Sequence, residues 1–200
     1  MGIIKKVLLC ICILLCLQAC TQAVNYNDSK ATELKQEIHE VMIPKSLLQF
    51  AGETQTEFVQ SFNKEEDSEI YSDVKIVNGE VFLYLTEAQR NNFLKKIKAN
   101  INTLLKDFFN LNSDYKIDIN SDYTSIDYYY DEKLSKPIEA KAVGGVIVES
   151  GFYYILNKYD SNWSINLKIY NCHTGKIVSE GTVPYDNMEW TPDDWEKSYE

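Results

Sequence analysis

Cys172 and His173 are the adjacent residues best equipped for nucleophilic chemistry in this chain. A thiolate beside an imidazole can attack a carbonyl carbon, but a reactive thiol needs a lowered pKa and a partly exposed cleft. Because adjacent residues in a hairpin loop point in different directions, we do not expect these two to act as nucleophile and base. The sequence predicts instead that Cys172 is a small, half-buried residue near a turn. His39, the other histidine, is expected on the polar side of a helix.

Acidic side chains are the second kind of chemistry that the sequence could support. The chain has 30 acidic and 20 basic residues, which gives a formal net charge of −10. Asp114, Asp118 and Asp122 recur around a turn, but they lack the spacing and the glycine of an EF-hand loop. A carboxylate pair for glycoside hydrolysis stays open from sequence alone. Because motifs such as Cys-x-x-Cys, His-Glu-x-x-His and a Walker-type loop do not occur, we predict no catalytic residues, no metal site, no cofactor and no enzymatic activity.

Tyrosine is the most distinctive residue type, with 14 in the chain, concentrated between residues 115 and 159. In a strand over 126–130, the even-numbered residues share one face and the odd-numbered residues the other. Tyrosines on an exposed sheet face offer rigid contact area with a hydroxyl, and they are enriched in binding interfaces for that reason. An alternative stays open, because tyrosine also favours strands generally. The candidate partner-binding residues are Tyr123, Tyr128, Tyr129 and Tyr130.

The N-terminal half of the chain is predicted to be helical before it becomes sheet. Apolar residues at helical spacing predict a first helix over 30–43, which Pro44 ends, and a second helical stretch over 46–62. Asn78-Gly79 is the pair that a type I′ hairpin turn prefers, because both central residues need a positive φ. The capping box Thr86-Glu87-Ala88-Gln89 then starts the strongest predicted helix.

Alternating apolar residues predict hairpins over 70–85, 115–130 and 163–183. The segment 138–156 is predicted as a helix, with Gly144 and Gly151 near one side, where they permit close approach to a sheet. Adjacent glycines and β-branched residues leave a strand open as the alternative for 143–149.

These elements predict an α+β fold in the order β-β-α-β-β-α-β-β, preceded by one or two N-terminal helices. We expect a largely antiparallel sheet of about six strands with helices on one face, and the other face open to solvent or to a partner. The predicted division of the chain is a signal peptide over 1–19, a tether over 20–29, and a single domain over 30–200 with an acidic C-terminal tail.

The first twenty residues carry two lysines and then an apolar run of 11 residues, which is too short to span a bilayer. The run ends in Leu17-Gln18-Ala19-Cys20. This segment resembles the bacterial lipoprotein signal peptides, whose lipobox has an aliphatic residue at −3, a small residue at −1 and an invariant cysteine. The resemblance covers residues 1–20 only. It implies diacylglycerol on the Cys20 thiol, cleavage after Ala19 and N-acylation of Cys20, and therefore an exported, membrane-anchored chain.

Removing Lys5 and Lys6 with the signal leaves 18 basic and 30 acidic residues, a net charge of −12. Such an acidic chain, with Arg90 as its one arginine, is poorly suited to bind nucleic acid. Only Cys172 remains after processing, so no internal disulfide can form.

The function predicted from these features is that of a lipid-anchored, extracytoplasmic protein-binding module. One concrete form is an immunity lipoprotein that neutralises a secreted toxin, since an acidic chain suits a basic partner. Two alternatives stay open: a receptor for a sugar or peptide, which needs a pocket of roughly 300 Å³, and an accessory subunit of envelope or secretion machinery. The anchor is predicted at the outer face of the cytoplasmic membrane, or in the outer membrane of a Gram-negative cell. The oligomeric state stays open.

Overall fold

A computed structural model describes residues 37–64, 69–132, 137–186 and 188–200. These residues form an α+β fold with seven strands and five helices, as the sequence predicts for the class. In chain order the elements are β1 (Ile38–Ile43), α1 (Lys45–Ala51), α2 (Gln55–Lys64), β2 (Asp73–Val77), β3 (Glu80–Thr86), α3 (Glu87–Leu111), β4 (Lys116–Ile119), β5 (Ser125–Tyr130), α4 (Pro137–Lys158), β6 (Ile165–Asn171), β7 (Ile177–Val183) and α5 (Pro192–Tyr199). Ile38–Glu200 form one compact unit.

The strands divide into two sheets rather than the one that the sequence predicts. Their orders are β1-β3-β2 and β4-β5-β6-β7. The three predicted hairpins are confirmed as the antiparallel pairs β2–β3, β4–β5 and β6–β7. β5 and β6 are parallel, because α4 provides the long crossover that parallel neighbours require.

The predicted first helix over 30–43 is wrong for its last six residues, which form strand β1. β1 pairs antiparallel with β3, with Val41 opposite Leu83. Val41 and Ile43 are buried while Ile38 is 57% exposed, so the burial has the period of two that a half-buried strand shows. The apolar spacing fits both periods over so short a segment, and pairing with β3 decides between them. Residues 30–36 lie outside the described residues.

The other helical predictions are confirmed with adjustments. The stretch over 46–62 is two helices, because Gly52 ends α1 in the left-handed region at φ 77°. The helix over 138–156 is α4, so the alternative strand over 143–149 is wrong. The acidic tail ends in α5, where the Asp194 carboxylate accepts a hydrogen bond from the Thr191 backbone N–H.

The two long helices α3 and α4 pack against each other and carry much of the core. The predicted capping box at the start of α3 is present: Gln89 N–H donates to Thr86 Oγ1, and Thr86 N–H donates to Gln89 Oε1. Arg90 lies on the next position of α3, and its Nε donates to the Leu156 carbonyl at 2.8 Å. The guanidinium also donates to the Asn157 carbonyl, so the one arginine of the chain satisfies carbonyls that the last turn of α4 leaves unpaired.

Candidate protein-binding site

The four candidate tyrosines lie in different environments, and only Tyr129 is on an exposed sheet face. Tyr128 and Tyr130 are 1% and 3% exposed, on the side of β5 that packs into the core. Tyr128 hydroxyl donates to the Val143 carbonyl of α4, and burial raises its pKa well above the usual value. Tyr130 packs against Trp195 of α5. The prediction that Tyr128 and Tyr130 contact a partner is therefore corrected, because α4 and α5 already cover that face.

The opposite side of the four-stranded sheet forms a continuous surface, which we call the outer face. None of these residues is buried, and Lys116, Asn166, Ile177 and Glu180 are exposed. Its members are Lys116 and Asp118 on β4, Ser125, Asp127 and Tyr129 on β5, Asn166, Lys168 and Tyr170 on β6, and Ile177, Glu180 and Thr182 on β7. The expected sheet face open to solvent is thus present on this sheet.

Two tyrosines form the aromatic centre of the outer face. Tyr129 and Tyr170 are directly opposite each other in the parallel β5–β6 pair. Their ring centroids are 4.6 Å apart and the planes are only 9° from parallel. The Lys116 ammonium lies 5.2 Å from the Tyr129 ring centroid, within the range of a cation–π contact. Both tyrosines are half-buried, and their stacking holds the two rings in one arrangement on the outer face.

Tyr170 is a candidate binding residue that the sequence pattern did not indicate. Its position beside Tyr129 depends on the parallel pairing of β5 and β6 across α4, whereas a largely antiparallel sheet was expected. The signal that could have found it is the β-α-β order itself, in which a helix longer than a dozen residues joins the strands.

Charged residues surround the tyrosine stack. Asp118 and Asp127 face each other directly across β4 and β5, which places two carboxylates side by side. Lys116 pairs with Asp118, and this hydrogen bond is the main cause that raises the pKa of the Lys116 ammonium. Partial burial raises the pKa of the Tyr129 phenol, and the Asp127 carboxylate raises it further, so its hydroxyl remains a donor at neutral pH.

Asp127 has unused hydrogen-bonding capacity. Its Oδ1 atom is shielded from solvent, and no group among the described residues donates a hydrogen bond to it. Lys168 stands opposite Asp127 on β6, but its ammonium lies 3.8 Å from Glu180. A shielded carboxylate oxygen without a donor is costly unless a further group supplies one. A cationic side chain from a partner would be such a group.

Tyr123 lies away from the outer face, in the turn between β4 and β5. Its φ of 61° is in the left-handed region that this turn requires. The ring packs against Tyr153 of α4 with centroids 4.3 Å apart, and it lines a groove between α3 and β4. Tyr123 therefore holds the turn against the helix layer and is not part of the tyrosine stack.

Cys172 and His173 are the adjacent residues that were considered for nucleophilic chemistry, and the structure gives them different surroundings. His173 Nε2 lies 3.5 Å from the buried carboxylate of Asp131, which also accepts a hydrogen bond from the Tyr115 hydroxyl at 2.7 Å. Burial raises the pKa of the Cys172 thiol, and the charges of Asp131 and Asp114 raise it further. The environment therefore disfavours a thiolate, and half-buried Cys172 near a turn agrees with the prediction.

His39 is in strand β1 rather than in a helix, and its ring lies 5.3 Å from that of Tyr159. Within the described residues, no group of three histidine, cysteine or acidic side chains is close enough to hold a metal ion. None of the helices in the same part of the chain combines the length and the hydrophobicity of a membrane span. Cys20 lies outside the described residues.

Two concave sites accompany the outer face. A cavity of about 340 Å³ lies beside the start of α1, and its lining includes Ser46, Glu80, Asn162 and the 69% exposed Tyr185. A groove of about 400 Å³ lies between α3 and the edge strand β4.

Comparisons with known proteins leave the family of this chain open. No family model matches the sequence, and no match was found among the curated proteins or among the solved structures.

Proposed function

We propose that this chain is a lipid-anchored, extracytoplasmic module whose outer face binds a basic protein surface. The observation that carries the proposal is the stacked pair Tyr129–Tyr170 on an uncovered sheet face, beside the facing carboxylates of Asp118 and Asp127. Rigid aromatic area supplies binding energy when a partner excludes water from it, and tyrosine is enriched among such anchors.

The charge of the chain selects the kind of partner. The mature chain would carry a net charge of −12 after Lys5 and Lys6 are removed, and Asp127 Oδ1 lacks a donor among the described residues. A lysine or arginine of the partner placed at Asp127 would satisfy that oxygen, and long-range attraction would speed encounter. The net charge of the whole chain, together with the donor-free Asp127 oxygen on the outer face, thus favours a basic protein over a membrane surface or a nucleic acid.

The lipid anchor is proposed from the resemblance at Cys20 and not from the fold. An anchored module with a protein-binding face fits an immunity lipoprotein, which would meet a secreted toxin before the toxin reaches its target. Expression of the chain in a sensitive strain should then give resistance to a toxin encoded beside it. Absence of resistance to every linked toxin would exclude this form of the proposal.

Photo-crosslinking in the producing cell tests the binding face itself. A benzophenone amino acid at Asn166 would sit on the exposed part of the outer face, and the same residue at Phe109 is a matched control on α3, where the native side chain is 56% exposed. We expect a discrete protein adduct from position 166 and none from position 109. Adducts from both positions, or from neither, would contradict a partner specific to the outer face.

Sugar binding is the second candidate function, and the cavity beside α1 favours it. Exposed Tyr185 offers an aromatic face, and Ser46, Glu80 and Asn162 offer polar groups around a volume of about 340 Å³. This volume is at the lower end of that of small-molecule sites. A glycan array probed with the purified chain tests it: binding that Tyr185→Ala abolishes would favour the receptor function, and an array without signal would remove it.

A further inference from the structure

Strand β4 exposes an edge whose backbone groups are arranged to pair with another strand. β4 is the first strand in the order β4-β5-β6-β7, and no strand of the described residues lies on its other side. Asn120 N–H donates to the Ser125 carbonyl, so this facing pair is hydrogen-bonded. Hydrogen-bonded and non-hydrogen-bonded pairs alternate along an antiparallel ladder. The N–H and C=O groups of Ile117 and Ile119 therefore point away from β5, toward the open edge.

The other edge of the same sheet is strand β7, and the segment that follows β7 covers it. Thr182 N–H of β7 donates to the Asp186 carboxylate at 2.7 Å. Met188 and Asp186 lie so close to Gly181 that a Cβ there would meet Met188 Sδ at 2.6 Å. The segment after β7 folds back on its own edge strand and blocks pairing, as proteins commonly do to prevent aggregation. β4 has no such cover among the described residues.

The groove of about 400 Å³ lies directly beside the open edge of β4. Ile101 and Leu105 of α3 form one wall and Ile117 and Ile119 form the other, with exposed Asn102 at the rim. Ile117 and Ile119 are only partly buried, although their side chains point to the core side of the sheet. A strand added to β4 would point alternate side chains between the isoleucine and leucine walls of this groove, which Asn102, Asn120 and Ser121 also line, and the others onto the outer face.

We propose that an extended segment of the protein partner adds to β4 as a fifth strand, with apolar side chains at alternate positions in the groove and basic side chains between them. The edge selects backbone in extended form, and the isoleucine and leucine side chains of the groove select the apolar positions. On the outward side, Asp118 faces Asp127, and Lys116 pairs with Asp118 but leaves Asp127 Oδ1 without a donor among the described residues, so this carboxylate pair selects the basic positions. This inference rests on the proposed protein-binding function and specifies how the partner engages the sheet: main-chain hydrogen bonds at the edge, in continuity with contacts on the outer face.

A peptide array with the purified full-length chain tests the inference without knowledge of the partner. The probes are six-residue peptides with Val, Ile, Leu or Phe at alternate positions and Lys, Ser or Thr between them. Each has a control of equal composition with its apolar residues grouped at one end. We expect alternating peptides to bind at least ten-fold more tightly than their controls. Equal binding of the two sets, or no binding, would overturn the inference.

Backbone pairing has its own signature in the best-binding peptide. N-methylation of the alternate amides that face β4 should weaken binding at least ten-fold, and methylation of the other set should leave it within about two-fold. The amide protons of Ile117 and Ile119 should become slower to exchange when the peptide is bound. Equal effects of the two methylation patterns, or unchanged exchange at both amides, would contradict strand addition.

The matched variants are Asn102→Trp, which fills the groove, and Asn110→Trp, which adds the same ring at another exposed position of α3. Only Asn102→Trp should abolish peptide binding. Equal binding by both variants would contradict the groove as the binding site.

The crosslinking at Asn166 separates this result from the proposed function. An outer-face adduct with no peptide binding refutes strand addition alone, and peptide binding with no adduct refutes the outer face as the partner site.

Discussion

The ring of Tyr129 on β5 stacks on the ring of Tyr170 on β6, with centroids 4.6 Å apart and planes 9° from parallel. The two residues are 41 positions apart in the sequence and are joined by way of α4, so the stack exists only because β5 and β6 pair in parallel. The stack is therefore ordered before any partner binds. Preorganised aromatic contacts bind with a smaller loss of side-chain entropy than mobile ones.

Two glycines of α4 provide a matched test of packing. A Cβ on Gly151 would meet Leu47 Cδ1 at 2.7 Å and Trp163 Cε3 at 3.1 Å, and both of these side chains are fully buried. A Cβ on Gly144 would meet nothing within 4 Å. We expect Gly151→Ala to destabilise the fold by about 1–3 kcal/mol through overpacking. Gly144→Ala should stabilise it by about 0.5–1 kcal/mol, because alanine is the better helix former.

Chemical denaturation of the purified variants measures both effects. Opposite signs for Gly151→Ala and Gly144→Ala are the expected outcome. Equal changes at the two positions would show that the close approach of α4 to Leu47 and Trp163 does not constrain the fold.

Arg90 is expected to stabilise the end of α4. Its side chain is 13% exposed, and its guanidinium donates to the carbonyls of Leu156 and Asn157. Arg90→Met keeps much of the aliphatic packing but leaves these carbonyls without their charged donor, which should cost about 1.5–3 kcal/mol. Lys95→Met removes a charge from an exposed position of the same helix and should change the free energy of unfolding by less than about 0.5 kcal/mol. Similar unfolding midpoints for the two variants would argue against a stabilising role of the hydrogen bonds from Arg90 to the end of α4.

Glu149 predicts a pH dependence of stability. Burial between α4 and α3 raises its pKa from 4.5 to about 7, although the Asn100 amide donates to it at 2.9 Å. The folded state then binds a proton that the unfolded state has released, so this contribution is fully present below about pH 4.5 and is lost as the pH rises through about 7. At pH 8, Glu149→Gln should be more stable than wild type by on the order of 2 kcal/mol.

Thermal or chemical unfolding at pH 4.5 and pH 8 checks the Glu149 prediction. The difference in stability between Glu149→Gln and wild type should grow with pH. A difference that is the same at both pH values would show that the carboxyl has an ordinary pKa in the folded state.

The lipid anchor gives a prediction on localisation. Cys20→Ala should remove the acylation site, so the chain should lose membrane association and remain unprocessed or become soluble. Cys16→Ala is the matched control, because Leu15 is too large for the −1 position of a lipobox and Cys16 is therefore not the acylated residue. Fractionation of the two variants with the wild type measures the outcome. A Cys20→Ala chain that fractionates like wild type would exclude the lipoprotein interpretation.

Local signals in the sequence were sufficient for the hairpins and the long helices. The Asn78-Gly79 turn has both residues at positive φ, as the type I′ prediction requires, and Thr86 and Gln89 form the predicted capping box. These features depend on a few neighbouring residues, so the sequence reports them directly. Residues 38–43 form strand β1 because they pair with β3, roughly 40 residues later in the sequence. Their short apolar pattern alone fits a helix equally well.

The candidate site was predictable only in part, for a similar reason. Alternation placed Tyr129 on the face opposite Tyr128 and Tyr130 correctly, but nothing local states which face the helices cover. Helix α4 covers the face of Tyr128, whose hydroxyl donates a hydrogen bond to the Val143 carbonyl of that helix. Tyr129 lies on the other face, which α4 does not cover. Tyr170 lies beside Tyr129 because β5 and β6 pair in parallel in this register, and sequence alternation does not specify the register.

The affinity of the crosslinked partner for a Tyr129→Ala, Tyr170→Ala double variant tests the binding face most directly. Loss of two central aromatic anchors should raise the dissociation constant by about 10- to 100-fold, while Phe109→Ala on α3 should leave it within about two-fold. Circular dichroism establishes that each variant is folded. A double variant that binds the partner as tightly as wild type does would contradict the outer face as the site of recognition.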